Sequence, residues 1–71
     1  MSYVCFVKSG DQIFNLDEFT SIDDAKEFLT DQVVRDYYSL SDGDILVCMR
    51  VADFHIETFV LKENPRRVLF E

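Results

Sequence analysis

Hydrophobic positions along this chain change their period twice, and each change marks an element. SYVCFVK (2–8) is rich in β-branched and aromatic residues and predicts a strand. SGDQ (9–12) is a turn signal. IFNLDEF (13–19) then alternates, with Ile13, Asn15 and Asp17 facing away from Phe14, Leu16 and Glu18. Two such runs around a Gly-containing turn predict a β-hairpin. From 20 to 38 the spacing becomes helical. At about 100° per residue, Ile22, Ala25, Leu29, Val33 and Tyr37 share one apolar arc, with Phe28 at its edge. Thr20 or Ser21 is the expected cap, and Asp23 and Asp24 sit in the first turn, where the helix dipole favours negative charge. Asp36 falls inside the arc, so the helix is expected to fray or end near it.

SLSDGD (39–44) has no apolar period and contains Asp-Gly, so it reads as a loop. ILVCMRV (45–51) and HIETFVLK (55–62) are apolar runs of strand length. ADF between them lacks a favoured turn residue. ENP breaks the chain, and RRVLF (66–70) is the right length for a last short strand. The expected class is α+β: an antiparallel sheet of four to five strands, in sequence order β-β-α-β-β-β, with one amphipathic helix packed on one face. Residues 1–71 read as a single domain, with no internal repeat.

One helix covers one sheet face, so the other face should turn polar at alternate positions. These strands do not. Tyr3, Cys5 and Val7 oppose Val4 and Phe6; Ile45, Val47, Met49 and Val51 oppose Leu46, Cys48 and Arg50; Ile56, Thr58 and Val60 oppose Glu57, Phe59 and Leu61, so both faces are largely apolar. Either the sheet curls on itself or something outside the chain covers the second face. A homodimer packed sheet on sheet is the simplest closed solution.

Composition sharpens this picture. The chain is 48% hydrophobic with only two Gly and one Pro, which argues against disorder. Its N-terminus lacks the features of a signal peptide and no run is long enough to span a membrane, so a cytoplasmic location is expected. Cys5 and Cys48 show neither a disulfide framework nor metal-ligand spacing and read as small core residues. The net charge of −7 is uneven. From Asp11 to Asp44 ten acids meet only Lys26 and Arg35, whereas from Ile45 to Glu71 four acids meet four bases. Direct binding of nucleic acid through phosphate contacts is not expected.

Candidate chemistry is sparse. His55, with Asp53 and Glu57 two residues to either side, is the best local case for acid–base work or a metal, but a lone strand-edge imidazole is more often inert. LSDGDI resembles half of a calcium loop and lacks its remaining ligands. There is no phosphate-binding loop, dinucleotide fingerprint or nucleophile elbow. Arg66 and Arg67, after Pro65, read as charges that blunt an edge strand, or less often as an interface anchor. The expectation is a non-enzyme without cofactor or metal.

The outer face of the helix is the remaining feature. Asp23, Glu27 and Asp31 lie about 6 Å apart along it, with Val34 and Tyr38 in the same outer arc. Like charges at this spacing cost a few tenths of a kcal/mol per pair. One explanation is solubility. The sharper one is recognition of a basic surface, since carboxylates at this spacing approximate successive phosphates and the apolar pair would add contact that salt does not screen. In size and charge the chain is similar to small acidic inhibitors of phages and mobile elements, among them anti-CRISPR and antirestriction proteins; the similarity is one of composition. The expected function is therefore an acidic, non-enzymatic protein-binding module that engages a basic or nucleic-acid-binding surface of a partner protein. The rival is an accessory subunit buried in an assembly through its apolar sheet face.

Overall fold

The computed structural model describes residues 2–63 and 68–70. Seven elements follow in order: β1 (Tyr3–Ser9), β2 (Gln12–Phe19), α1 (Ile22–Phe28), α2 (Gln32–Tyr38), β3 (Ile45–Arg50), β4 (Ile56–Glu63) and β5 (Val68–Phe70). The fold is α+β. A four-stranded antiparallel sheet runs β2-β1-β3-β4, and the three-residue β5 extends it beside β4. Arg66 and Arg67 lie outside the described residues.

The β1–β2 hairpin closes through Gly10 and Asp11. Gly10 takes φ +59° at the first position of that loop, a backbone state that L residues avoid. Farther along, the register slips between Val4 and Phe6, so that Leu16 and Asp17 together oppose Cys5. This bulge corrects the simple alternation expected for β2. It returns Phe19 to the face of Phe14 and Leu16 and turns Glu18 to the face of Ile13 and Asn15.

One helix was expected over 20–38, and two short ones are found. Ser21 caps α1, its hydroxyl accepting the Asp24 N–H at 3.1 Å. After Phe28 the backbone tightens into i→i+3 bonds: Leu29 N–H to the Lys26 carbonyl, Thr30 N–H to that of Glu27 and Asp31 N–H to that of Phe28. The Thr30 hydroxyl also donates to the Glu27 carbonyl, at 2.6 Å. Asp31 is extended and caps α2, its carboxylate accepting the Val33 N–H at 2.9 Å. The second helix ends in paired bonds from Leu40 N–H to the Arg35 carbonyl and from Ser39 N–H to that of Asp36. Ser39 sits at φ +54°, where Gly is the usual occupant.

The core lies between the helices and one sheet face. Cys5, Val7, Leu46, Cys48 and Leu61 meet Ala25, Leu29 and Leu40, and all eight are buried. Cys5 and Cys48 are directly opposed across β1 and β3 as free thiols. Burial pushes both thiols up, Cys48 to about 12, which leaves them poor nucleophiles.

The other sheet face carries three cross-strand rows, in the order β2, β1, β3, β4. The first is Ile13, Lys8, Ile45, Val60; the second is Asn15, Phe6, Val47, Thr58; the third is Glu18, Val4, Met49, Ile56. Among the described residues neither helix covers these rows. Ile13 is 61% exposed and Ile56 57%.

Candidate protein-binding surfaces

The pause at Leu29–Asp31 decides what α2 shows to solvent. An uninterrupted helix would have continued the inward arc through Val33 and Tyr37. With the break, the phase moves by about one residue, roughly 100°. Val34 and Tyr38 now pack on the core, and the Tyr38 ring lies 5.8 Å from that of Phe14. Val33 and Tyr37 point outward, 74% and 79% exposed. Tyr37 meets Tyr38 edge-on at 4.9 Å, so its exposed ring is held rather than free. The expected outer positions of Val34 and Tyr38 are thus corrected. Their neighbours Val33 and Tyr37 hold the exposed apolar places.

The acidic stripe is also shorter than expected. Asp23 and Glu27 remain side by side on the exposed face of α1, one turn apart. Asp31 has left the stripe to cap α2. Asp24 accepts from the Thr20 hydroxyl at 2.8 Å, and Asp36 accepts from the Gln32 amide at 2.8 Å. Asp44 is buried at the end of the loop, where its carboxylate accepts the Ser41 N–H at 2.9 Å. Those three carboxylates serve local structure, which fits the residue types favoured at caps and turns.

Charge nevertheless divides between the two sides of the sheet. From Thr20 to Asp44, the helical layer and its loop hold seven acids against Lys26 and Arg35, a balance of −5. Both bases are engaged inside the chain, Lys26 with the sheet and Arg35 within α2. The Lys26 ammonium lies 3.9 Å from the centre of the Phe59 ring, and Arg35 donates to the Gln32 side-chain oxygen at 3.1 Å. The three rows on the open sheet face carry one base, Lys8, and one acid, Glu18, and Lys62 is the next outward position of β4 beyond them.

The His55 constellation does not assemble as the spacing suggested. Asp53 sits in the turn before β4, where its carboxylate takes two hydrogen bonds from Arg50, at 2.8 and 2.6 Å. It also accepts the His55 backbone N–H at 3.2 Å. These bonds hold its carboxyl down, at about 2, with the Arg50 bond as the larger cause. The turn closes without a Gly because Phe54 takes φ +60°, its N–H bonded to the Arg50 carbonyl at 2.8 Å. Among the described residues no three of His, Cys, Asp and Glu gather where they could hold a metal ion. No described helix is long and apolar enough to cross a membrane.

Comparisons with family models, curated proteins and solved structures gave no significant match. The reading of function therefore rests on these two surfaces. The sequence missed Val33 and Tyr37, although a signal for them was present. Thr30-Asp31 ahead of QVVRDYY is a helix start, because Asp is a preferred N-cap and restarts the helical phase.

Proposed function

We propose that this chain is a small non-enzymatic protein-binding module that engages a basic surface of a partner protein through its acidic helical layer. An inhibitor that occupies a nucleic-acid-binding surface is the most specific form of this reading. The supporting observation is the −5 balance of that layer together with the exposed, edge-packed Tyr37 beside Val33. Charge alone is screened at physiological salt over about 8 Å, so an apolar anchor amid the acids is what a specific contact requires. The contact set is Asp23 and Glu27 from α1 with Val33 and Tyr37 from α2. Asp31 contributes through the cap that orients α2, and Val34 and Tyr38 support the helix from below. The chain itself is not expected to bind nucleic acid or membrane, and a cytoplasmic setting is the proposed location.

Affinity capture with three forms of the chain tests this reading: wild type, the double variant Asp23→Lys/Glu27→Lys, and Tyr37→Ala. A basic protein held by wild type at about 50 mM salt and released by about 500 mM is the expected result. Both variants should lose it while their circular dichroism stays that of the wild type. Retention of the same protein by both variants would leave the acids as solubilising charge only. The accessory-subunit reading is favoured by a different observation, the open apolar rows on the far side of the sheet.

A further inference from the structure

We infer that the open sheet face is covered by a second copy of this chain, packed face to face about a twofold axis that lies in the interface and crosses the strands along the second row. The inference concerns the face opposite the acidic layer and stands independently of the reading above.

Positions of charge on that face carry the argument. Lys8 lies in the first row on β1, and Glu18 lies in the third row on β2, the neighbouring strand. Two face-to-face twofold arrangements keep the strands of the two sheets aligned, as stacked sheets prefer to within about 30°. An axis parallel to the strands exchanges β1 with β3 and β2 with β4. It would set the two Lys8 side chains on neighbouring tracks of the same row and leave each Glu18 over Ile56, so that like charges meet and the acids have no partner. The axis across the strands exchanges the first row with the third. It places Glu18 of one copy on the track beside Lys8 of the other, and does so twice, while Phe6 and Val47 meet their own symmetry mates at the centre. Of the two, only the second arrangement sets Lys8 beside Glu18; Lys62, the next outward position of β4 after Val60, lies beyond the three rows.

Size agrees with this occupant. Four strands about 4.8 Å apart and three rows about 6.8 Å apart give a face of roughly 400 Å² in projection. Two copies would bury on the order of 1,000 Å² of accessible surface, the lower margin of specific interfaces, and the proposal is of a reversible dimer that forms at micromolar concentration. The acidic layers, which would repel one another, lie on the outside of the pair with both sheets between them.

A charge-swap series read by sedimentation equilibrium tests the register. Within one chain Lys8 and Glu18 are two rows apart, about 13 Å, so they have no mutual contact to lose. Wild type should run as a dimer, at twice 8.3 kDa, at micromolar concentration. Lys8→Glu and Glu18→Lys should each weaken the dimer about tenfold or more, by placing like charges on neighbouring tracks. The double swap should return to within about threefold of wild type, since the pairs re-form reversed. A monomer at about 100 µM would overturn the inference, given the micromolar expectation. So would a dimer indifferent to both single swaps, as pairing through the free edge of β2 would be, or one that the double swap does not restore.

Discussion

Leu46 and Val47 are neighbours on β3 and similar in chemistry, yet one is wholly buried under the helices and the other looks out from an open face. The same division runs through β1, where Cys5 and Val7 are buried while Val4 and Phe6 belong to the far side. Composition does not separate the two faces, because each is mostly apolar. Coverage does. The side under the helices is where the chain buries its side chains completely, whereas the open side leaves Val4, Ile13, Ile56 and Val60 exposed and Phe6, Ile45, Val47 and Met49 half-buried. An apolar strand face is therefore core only where some other element reaches it.

The sharpest way to break this comparison is to truncate one residue on each side. Leu46→Ala should cost about 2–5 kcal/mol of unfolding free energy, because Leu46 is fully buried in the apolar core beside Val7 and Phe59 and its truncation leaves a cavity there. Val47→Ala should cost less than about 1 kcal/mol at a protein concentration low enough to keep the chain monomeric. Urea denaturation of both variants checks the pair. Equal losses would mean that the open face is already packed against something within the chain.

The helical layer offers a smaller change, in the stabilising direction. Ser39→Gly should raise stability by about 1 kcal/mol by relieving a left-handed backbone at the end of α2. If the midpoint of denaturation does not rise, the cap carries no strain and the phase of α2 is held by Tyr38 and Leu40 alone.

Acid provides a third probe, at the hairpin tip that borders the open face. The Asp53 carboxyl is lowered from its ordinary 3.8 to about 2 by Arg50 and the His55 N–H. The stability this contributes is full above the ordinary value and is lost as pH falls from there through about 2. Its size is modest, since the pair is exposed to solvent. Asp53→Asn should flatten that part of the acid profile, and an unchanged profile would assign the acid sensitivity to other carboxylates. The smallest effect is expected from Glu27→Lys and Tyr37→Ala, each within about 0.5 kcal/mol in thermal or urea unfolding, because neither side chain is buried. A larger loss at Tyr37 would show that its edge contact with Tyr38 supports the helix as well as marking the surface.

By itself the sequence determined the α+β class, the first hairpin, the loop before β3 and the antiparallel strands, because periods of two and of about 3.6 are local properties of side-chain direction. It also determined that both sheet faces are apolar and that the acids crowd into the middle of the chain. Tertiary structure decided three things that the periods left open. It slipped the register opposite Cys5, which moved Glu18 onto the open face. It stopped the helix at Leu29 and restarted it from Asp31, which exchanged Val34 and Tyr38 for Val33 and Tyr37 at the surface. It also chose which of two similar faces the helices would cover. Each of these is a choice between local states separated by little energy, a bulge or a cap, and the choice falls to whichever state lets Leu29, Leu46 and Leu61 close on one another.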